Sequence, residues 1–131
     1  MEKRNFETIK NMNKLGAFDN KMKYDNRKLL SNSYVFDENI TVAENRKRIN
    51  DTNNEILNNR SQYNEEDNRL YNLFKRELIN VLIDTSNNRL NEKQANIIFN
   101  KAWQESHSGG YGDIIINAET QFDFIMEIIN V

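Results

Sequence analysis

The chain has no cysteine and no proline, one histidine and only four glycines among its 131 residues. Without cysteine there is no disulfide, no thiolate nucleophile and no cysteine-ligated zinc. One histidine is too little for a dedicated transition-metal site, so neither a metal nor a cofactor is expected. Long apolar runs are missing too, and Met1 to Phe6 holds no apolar signal core. Neither secretion nor a membrane span is therefore expected, and the reading is a soluble, cytoplasmic protein. A chain of this length buries roughly two-thirds of its unfolded surface, enough to fold without covalent staples.

What is abundant is asparagine, at 24 residues; with 14 isoleucines and 10 lysines it makes up 48 of the 131 positions, whereas alanine occurs five times. Those three residues use A/T-rich codons, and proline and alanine use G/C-rich ones. The composition points to an A/T-rich genome such as that of a low-GC bacterium or its mobile elements, and it assigns much of the asparagine to the surface. The asparagines are spread among charges and periodic apolar residues, which sets them apart from a prion-like tract.

The net charge of −2 conceals an asymmetry. Residues 1–48 carry 11 Lys/Arg against 7 Asp/Glu, and residues 49–131 carry 7 against 13. The basic front, with Lys21, Lys23, Arg27, Lys28, Arg46, Lys47 and Arg48, is a candidate contact for an acidic partner. Its modest excess argues against direct nucleic-acid binding.

Periodicity predicts an all-α fold, a compact bundle of four to five helices with a less regular N-terminal segment, divided into an irregular basic region 1–40 and a helical domain 41–131. A helix is expected around Phe6, Ile9 and Met12, ending at Gly16. Thr41 to Glu44 has the Thr-x-x-Glu pattern of a capping box and should open a long helix. Its apolar seam is thin. Val42, Ile49, Ile56, Tyr63 and Leu70 recur every seven residues, but Asn45, Asn53 and Arg60 interrupt it, so a full coiled coil is not predicted and pairing in a homodimer stays the alternative. From Leu70 a broad apolar face forms, and Glu65-Glu66-Asp67 reads as a negatively charged helix start. Asn91 should cap the next helix together with Gln94, with Leu90 packed before the cap.

The closing helix is the clearest. Ile114, Ile115, Ala118, Phe122, Ile125, Met126 and Ile129 share one face, and Glu119, Asp123 and Glu127 align on the other. Phe124 and Ile128 lie beyond one edge of the core face and Ile116 falls within the acidic side, so these are interface candidates. The set expected to contact a partner is Glu119, Asp123, Phe124, Glu127 and Ile128.

Between the last two helices lies His107-Ser108-Gly109-Gly110-Tyr111-Gly112-Asp113. A glycine turn entering a helix can bind an anion, and His107, Ser108, Gly109, Gly110 and Tyr111 form a candidate ligand turn. It lacks the Gly-x-x-x-x-Gly-Lys-Ser/Thr order of a phosphate loop, and a tight inter-helix turn is the simpler reading. His107 is placed to cap the preceding helix. Its neighbours Ser106 and Ser108 do not make a catalytic pair by adjacency, so no enzyme activity is expected.

The segment Ala102 to Ile114, with Leu90 to Ala95 before it, resembles the C-terminal region of small helical proteins of bacteriophages and mobile elements of Gram-positive bacteria. The resemblance implies a protein that interferes with host machinery or antiviral defence, for example an anti-CRISPR inhibitor of an RNA-guided nuclease. It carries over no catalytic residue. The expected function is thus non-catalytic occlusion of a host or defence protein, itself a candidate nucleic-acid-binding enzyme, with nucleotide sequestering at the glycine turn or a structural helical oligomer as alternatives.

Overall fold

The computed structural model describes residues 4–31, 33–107 and 109–129. It is all-α, with α1 at Phe6–Lys14, α2 at Val42–Thr85, α3 at Glu92–Glu105 and α4 at Gly110–Ile129, and no strand among the described residues. The chain divides into two compact units, residues 20–68 and residues 1–19 with 69–131. The division does not fall at residue 40.

The unit of residues 1–19 and 69–131 is a conventional apolar bundle. Phe74, Leu78, Val81 and Leu82 of α2, Ile98 and Phe99 of α3, and Ile114, Ile115, Ala118 and Phe122 of α4 close its centre. Aromatic edges organise it: Phe18 meets Phe74 at 5.1 Å between centroids, and Phe6 meets Phe122 at 5.5 Å. Such tilted pairs place positive ring edges against negative faces and add to the burial itself. Asn5 caps α1 by accepting from Thr8 N–H at 3.0 Å. Gly16, at φ +80°, turns the chain out of that helix in a region that L side chains avoid. The expected capping box at α3 is present, with Asn91 Oδ1 accepting from Gln94 N–H and Gln94 Oε1 accepting from Asn91 N–H, both at 2.8 Å. Leu90 is buried before it. Between α2 and α3, Asn87 and Asn88 both take positive φ, 53° and 66°, where asparagine is among the few tolerated side chains.

The unit of residues 20–68 is built differently. Residues 20–31 and 33–40 form a strap without regular secondary structure, running antiparallel to residues 42–68 of α2. Helix side chains hold it by imitating backbone. Asn45, 2% exposed, accepts from Tyr34 Oη at 2.8 Å and Asp37 N–H at 3.0 Å, and donates to the carbonyls of Asp37 and Thr41, each at 3.0 Å. Those four bonds use both lone pairs and both hydrogens of the carboxamide. Asn53 clasps Leu30 by accepting from its N–H at 2.6 Å and donating to its carbonyl at 3.0 Å. Asn59 accepts from Asp25 N–H at 2.7 Å, and Arg60 donates to the carbonyls of Asp25 and Arg27. Tyr24 meets Tyr63 edge-on at 5.2 Å and lies under the Arg60 guanidinium at 5.6 Å. Ile56 is the buried apolar side chain of this unit.

One expectation changes here. Glu65-Glu66-Asp67 does not open a helix, because α2 continues through it unbroken. Much of the asparagine is exposed as expected, but those at 20, 45, 53 and 59 are structural clasps. The residues that interrupt the seam, Asn45, Asn53 and Arg60, are the ones that grip the strap, so the strap covers this stripe of the helix within the same chain.

Candidate interaction surfaces

Helix α4 inserts Ile114, Ile115, Ala118 and Phe122 into the core, and its 3.6-residue period therefore turns the opposite face to solvent. On that face Ile116, Phe124 and Ile128 are 57%, 63% and 61% exposed. Ile116, two turns earlier, lies on the side of the carboxylates, whereas Phe124 and Ile128, one turn apart, make a short apolar ridge. Asp123 and Glu127 lie beside it, exposed and without a hydrogen bond or ion pair among the described residues. Glu119 differs. Its carboxylate receives Lys10 Nζ at 3.1 and 3.3 Å, so it ties α4 to α1. The hydrogen bond to Glu119 raises the Lys10 pKa above its ordinary value. The expected three-carboxylate stripe is thus two free carboxylates and one internal ion pair. At the start of α4, Gly112 lets α1 come close, since a Cβ there would stand 3.3 Å from Asn13 Nδ2.

The glycine turn is chiefly architectural. Tyr111 stacks on Phe74 at 4.3 Å and meets Phe18 at 5.9 Å, so it packs against the core while also lining the groove beside His107. Gly110 has φ +65° and begins α4, and the Asp113 side chain occupies the place a Cβ on Gly109 would take. The cap of α3 is Ser106 instead of His107: its N–H donates to Trp103 O at 3.3 Å, its hydroxyl donates to Ala102 O at 2.8 Å, and Asn117 Nδ2 donates to that hydroxyl at 2.8 Å. The serine hydroxyl reaches the orphan carbonyls directly, and the exposed imidazole is left at the mouth of a groove of about 380 Å³ with Trp103, Tyr111 and Ile114. That groove is mainly apolar and has no Lys or Arg in its lining. Ser108 lies outside the described residues.

The basic set is split by the strap's own chemistry. Arg27 pairs with Asp25 at 2.6 Å and with Glu55 at 3.5 Å, and Arg48 pairs with Asp37 at 3.4 Å. The Arg27 guanidinium lowers the Asp25 pKa, and the same bond raises that of Arg27. Lys21, Lys23, Lys28, Arg46 and Lys47 are exposed and make no ion pair among the described residues. Sequence reasoning missed Lys10 as the partner of Glu119, since the two are 109 positions apart and only the packing of α1 on α4 joins them.

These features define an all-α protein with exposed apolar side chains on its closing helix and in its strap unit, as well as at Leu15 and Ile97. No helix among the described residues is long and apolar enough to cross a membrane, and no cluster of three potential metal ligands occurs among them. Residues 7–130 match the model of a family of unknown function, DUF8546, and the chain belongs to that family. No curated protein and no solved structure matches it.

Proposed function

We propose that this chain is a non-catalytic binding protein of phage or mobile-element origin that inhibits a host or antiviral-defence protein by covering part of its surface. The observation that carries the reading is the α4 ridge, where Phe124 and Ile128 stand more than half exposed beside the free carboxylates of Asp123 and Glu127, with Ile116 exposed two turns earlier on the acidic side. Apolar anchors next to a strip of one charge suit a basic partner surface: charge steers the encounter and apolar burial slows release. The resemblance of Ala102 to Ile114 to small phage proteins supports the origin, and an RNA-guided nuclease, with its basic nucleic-acid channel, fits the charge.

Purified chain is titrated into a low-GC Gram-positive RNA-guided nuclease cutting a plasmid target, in parallel with affinity capture from a lysate of such a bacterium. The reading expects dose-dependent inhibition, or a stoichiometric partner, that is lost on Phe124→Ala/Ile128→Ala with helicity retained. Asp123→Lys/Glu127→Lys slows association and reduces its salt dependence. Failure of the parent chain to inhibit or to capture any stoichiometric partner overturns the reading, as does full activity of the folded ridge variant.

A further inference from the structure

Between the later turns of α2 and the start of α3, within the unit of residues 1–19 and 69–131, lies an open groove of about 480 Å³. Its apolar floor is Ile79, 8% exposed, with Ile83. Asn72, Arg76 and Asn80, one helical turn apart on α2, line one side, and none of their side chains has a hydrogen bond or ion pair among the described residues. Lys75 enters the same groove with its ammonium 5.4 Å from the Phe99 ring centroid. From α3 come Glu92 and Asn96. Asn96 donates one N–H to Glu92 O at 3.0 Å, which leaves its carbonyl oxygen and second N–H available.

Solvated helix faces commonly carry free polar side chains. Here they converge on a concave apolar floor, and the volume falls in the roughly 300–1,000 Å³ range of small-molecule sites. Each wall also has a distinct chemistry. Arg and Lys recognise phosphate, the Arg as a planar fork and the Lys as a point charge. Carboxamides match the paired donor and acceptor on the edge of a nucleobase. A carboxylate accepts from ribose hydroxyls. Two cations against one carboxylate suit a monophosphate dianion better than a triphosphate.

We propose that this groove binds a nucleoside monophosphate, with the phosphate on Lys75 and Arg76, the base lying over Ile79 and Ile83 with its edge on Asn80 and Asn96, and the ribose hydroxyls on Glu92. The site shares no residue with the α4 ridge and does not depend on the inhibitory function.

The test is calorimetry and amide chemical-shift mapping on the whole chain with AMP, GMP, CMP and UMP, and with adenosine and inorganic phosphate as half-ligands. At least one monophosphate should bind with sub-millimolar Kd, with shifts centred on residues 72–83 and 92–96. Each half-ligand should bind roughly tenfold or more weakly, and Arg76→Gln should weaken the monophosphate by a similar factor. Asn80→Leu should weaken it without altering phosphate binding, and Lys101→Gln, outside the groove, should change neither. Absence of binding by all four monophosphates at about 5 mM overturns the proposal. So does equal binding of inorganic phosphate, or monophosphate binding unchanged in folded Arg76→Gln and Asn80→Leu.

Discussion

Two regions of α2 are covered by opposite chemistries. In the unit of residues 1–19 and 69–131, the turns from Leu70 to Leu82 are sealed by apolar side chains, with Phe74, Leu78 and Leu82 fully enclosed. In the unit of residues 20–68, the turns from Asn45 to Tyr63 are covered by a strap gripped through carboxamides and one guanidinium. Apolar burial is non-directional and grows with area. A net hydrogen bond contributes only about 0.5–1.5 kcal/mol, but leaving a buried partner unsatisfied costs more. The first chemistry supplies stability in bulk, and the second supplies register, because a carboxamide that binds one N–H and one carbonyl recognises a particular residue of the strap.

The comparison is sharpened most by Phe74→Ala. Phe74 touches Phe18, Phe99 and Tyr111, and its loss leaves a cavity at the meeting point of three elements. The variant should lose about 3–5 kcal/mol in urea unfolding, with near-ultraviolet aromatic signals weakened throughout. A loss below about 1 kcal/mol would mean that the aromatic cluster does not hold this unit together.

Asn45→Ala should have a smaller and local effect, about 1–3 kcal/mol, because it deprives Asp37 N–H, Asp37 O, Thr41 O and the Tyr34 hydroxyl of one shared partner. Hydrogen exchange should accelerate at Asp37 and in the first turns of α2 and stay unchanged around Phe74 and Phe99. Equal acceleration in both regions would show that the two chemistries stabilise one cooperative unit.

The smallest effect concerns pH. Asp25 has its pKa lowered by Arg27, so its contribution is present above the unfolded carboxylate value and is lost as pH falls through the lower folded value. Lys10, raised by Glu119, behaves in the opposite sense: its contribution is present below the ordinary lysine value and disappears as pH rises through the higher folded one. Acid should therefore release the strap near Asp25, and strong alkali should loosen α1 from α4; amide exchange at Arg27 and Ile9 reads the two events. Asp25→Asn should abolish the acid-side change at Arg27.

Much of the bundle is legible in the sequence because its signals are local. The Asn91 and Gln94 cap, the apolar period of α4 and the break at Gly16 each lie within one or two turns and report directly on backbone preference. The exposure of Ile116, Phe124 and Ile128 was legible for the same reason, as residues off the core face of a periodic helix. Less was legible at the turn. His107 and Ser106 both have caps in their repertoire, and which one reaches Ala102 O depends on geometry that spacing does not encode. That Tyr111 also packs on the core was not legible, because nothing local shows Phe74, 37 positions earlier, stacking on it.

The sequence by itself determined the helices, their caps and the faces they present, since capping and periodicity act between residues a few positions apart and need no knowledge of the rest of the chain. Tertiary structure alone decided what the polar residues away from the caps do. A carboxamide on a helix has no intrinsic preference between water and a backbone segment, and a carboxylate none between solvent and a lysine on another helix. Asn45 and Asn53 became clasps only when residues 30 and 37 were brought beside them, and Glu119 became a tie to α1 only when Lys10 came within 3.1 Å.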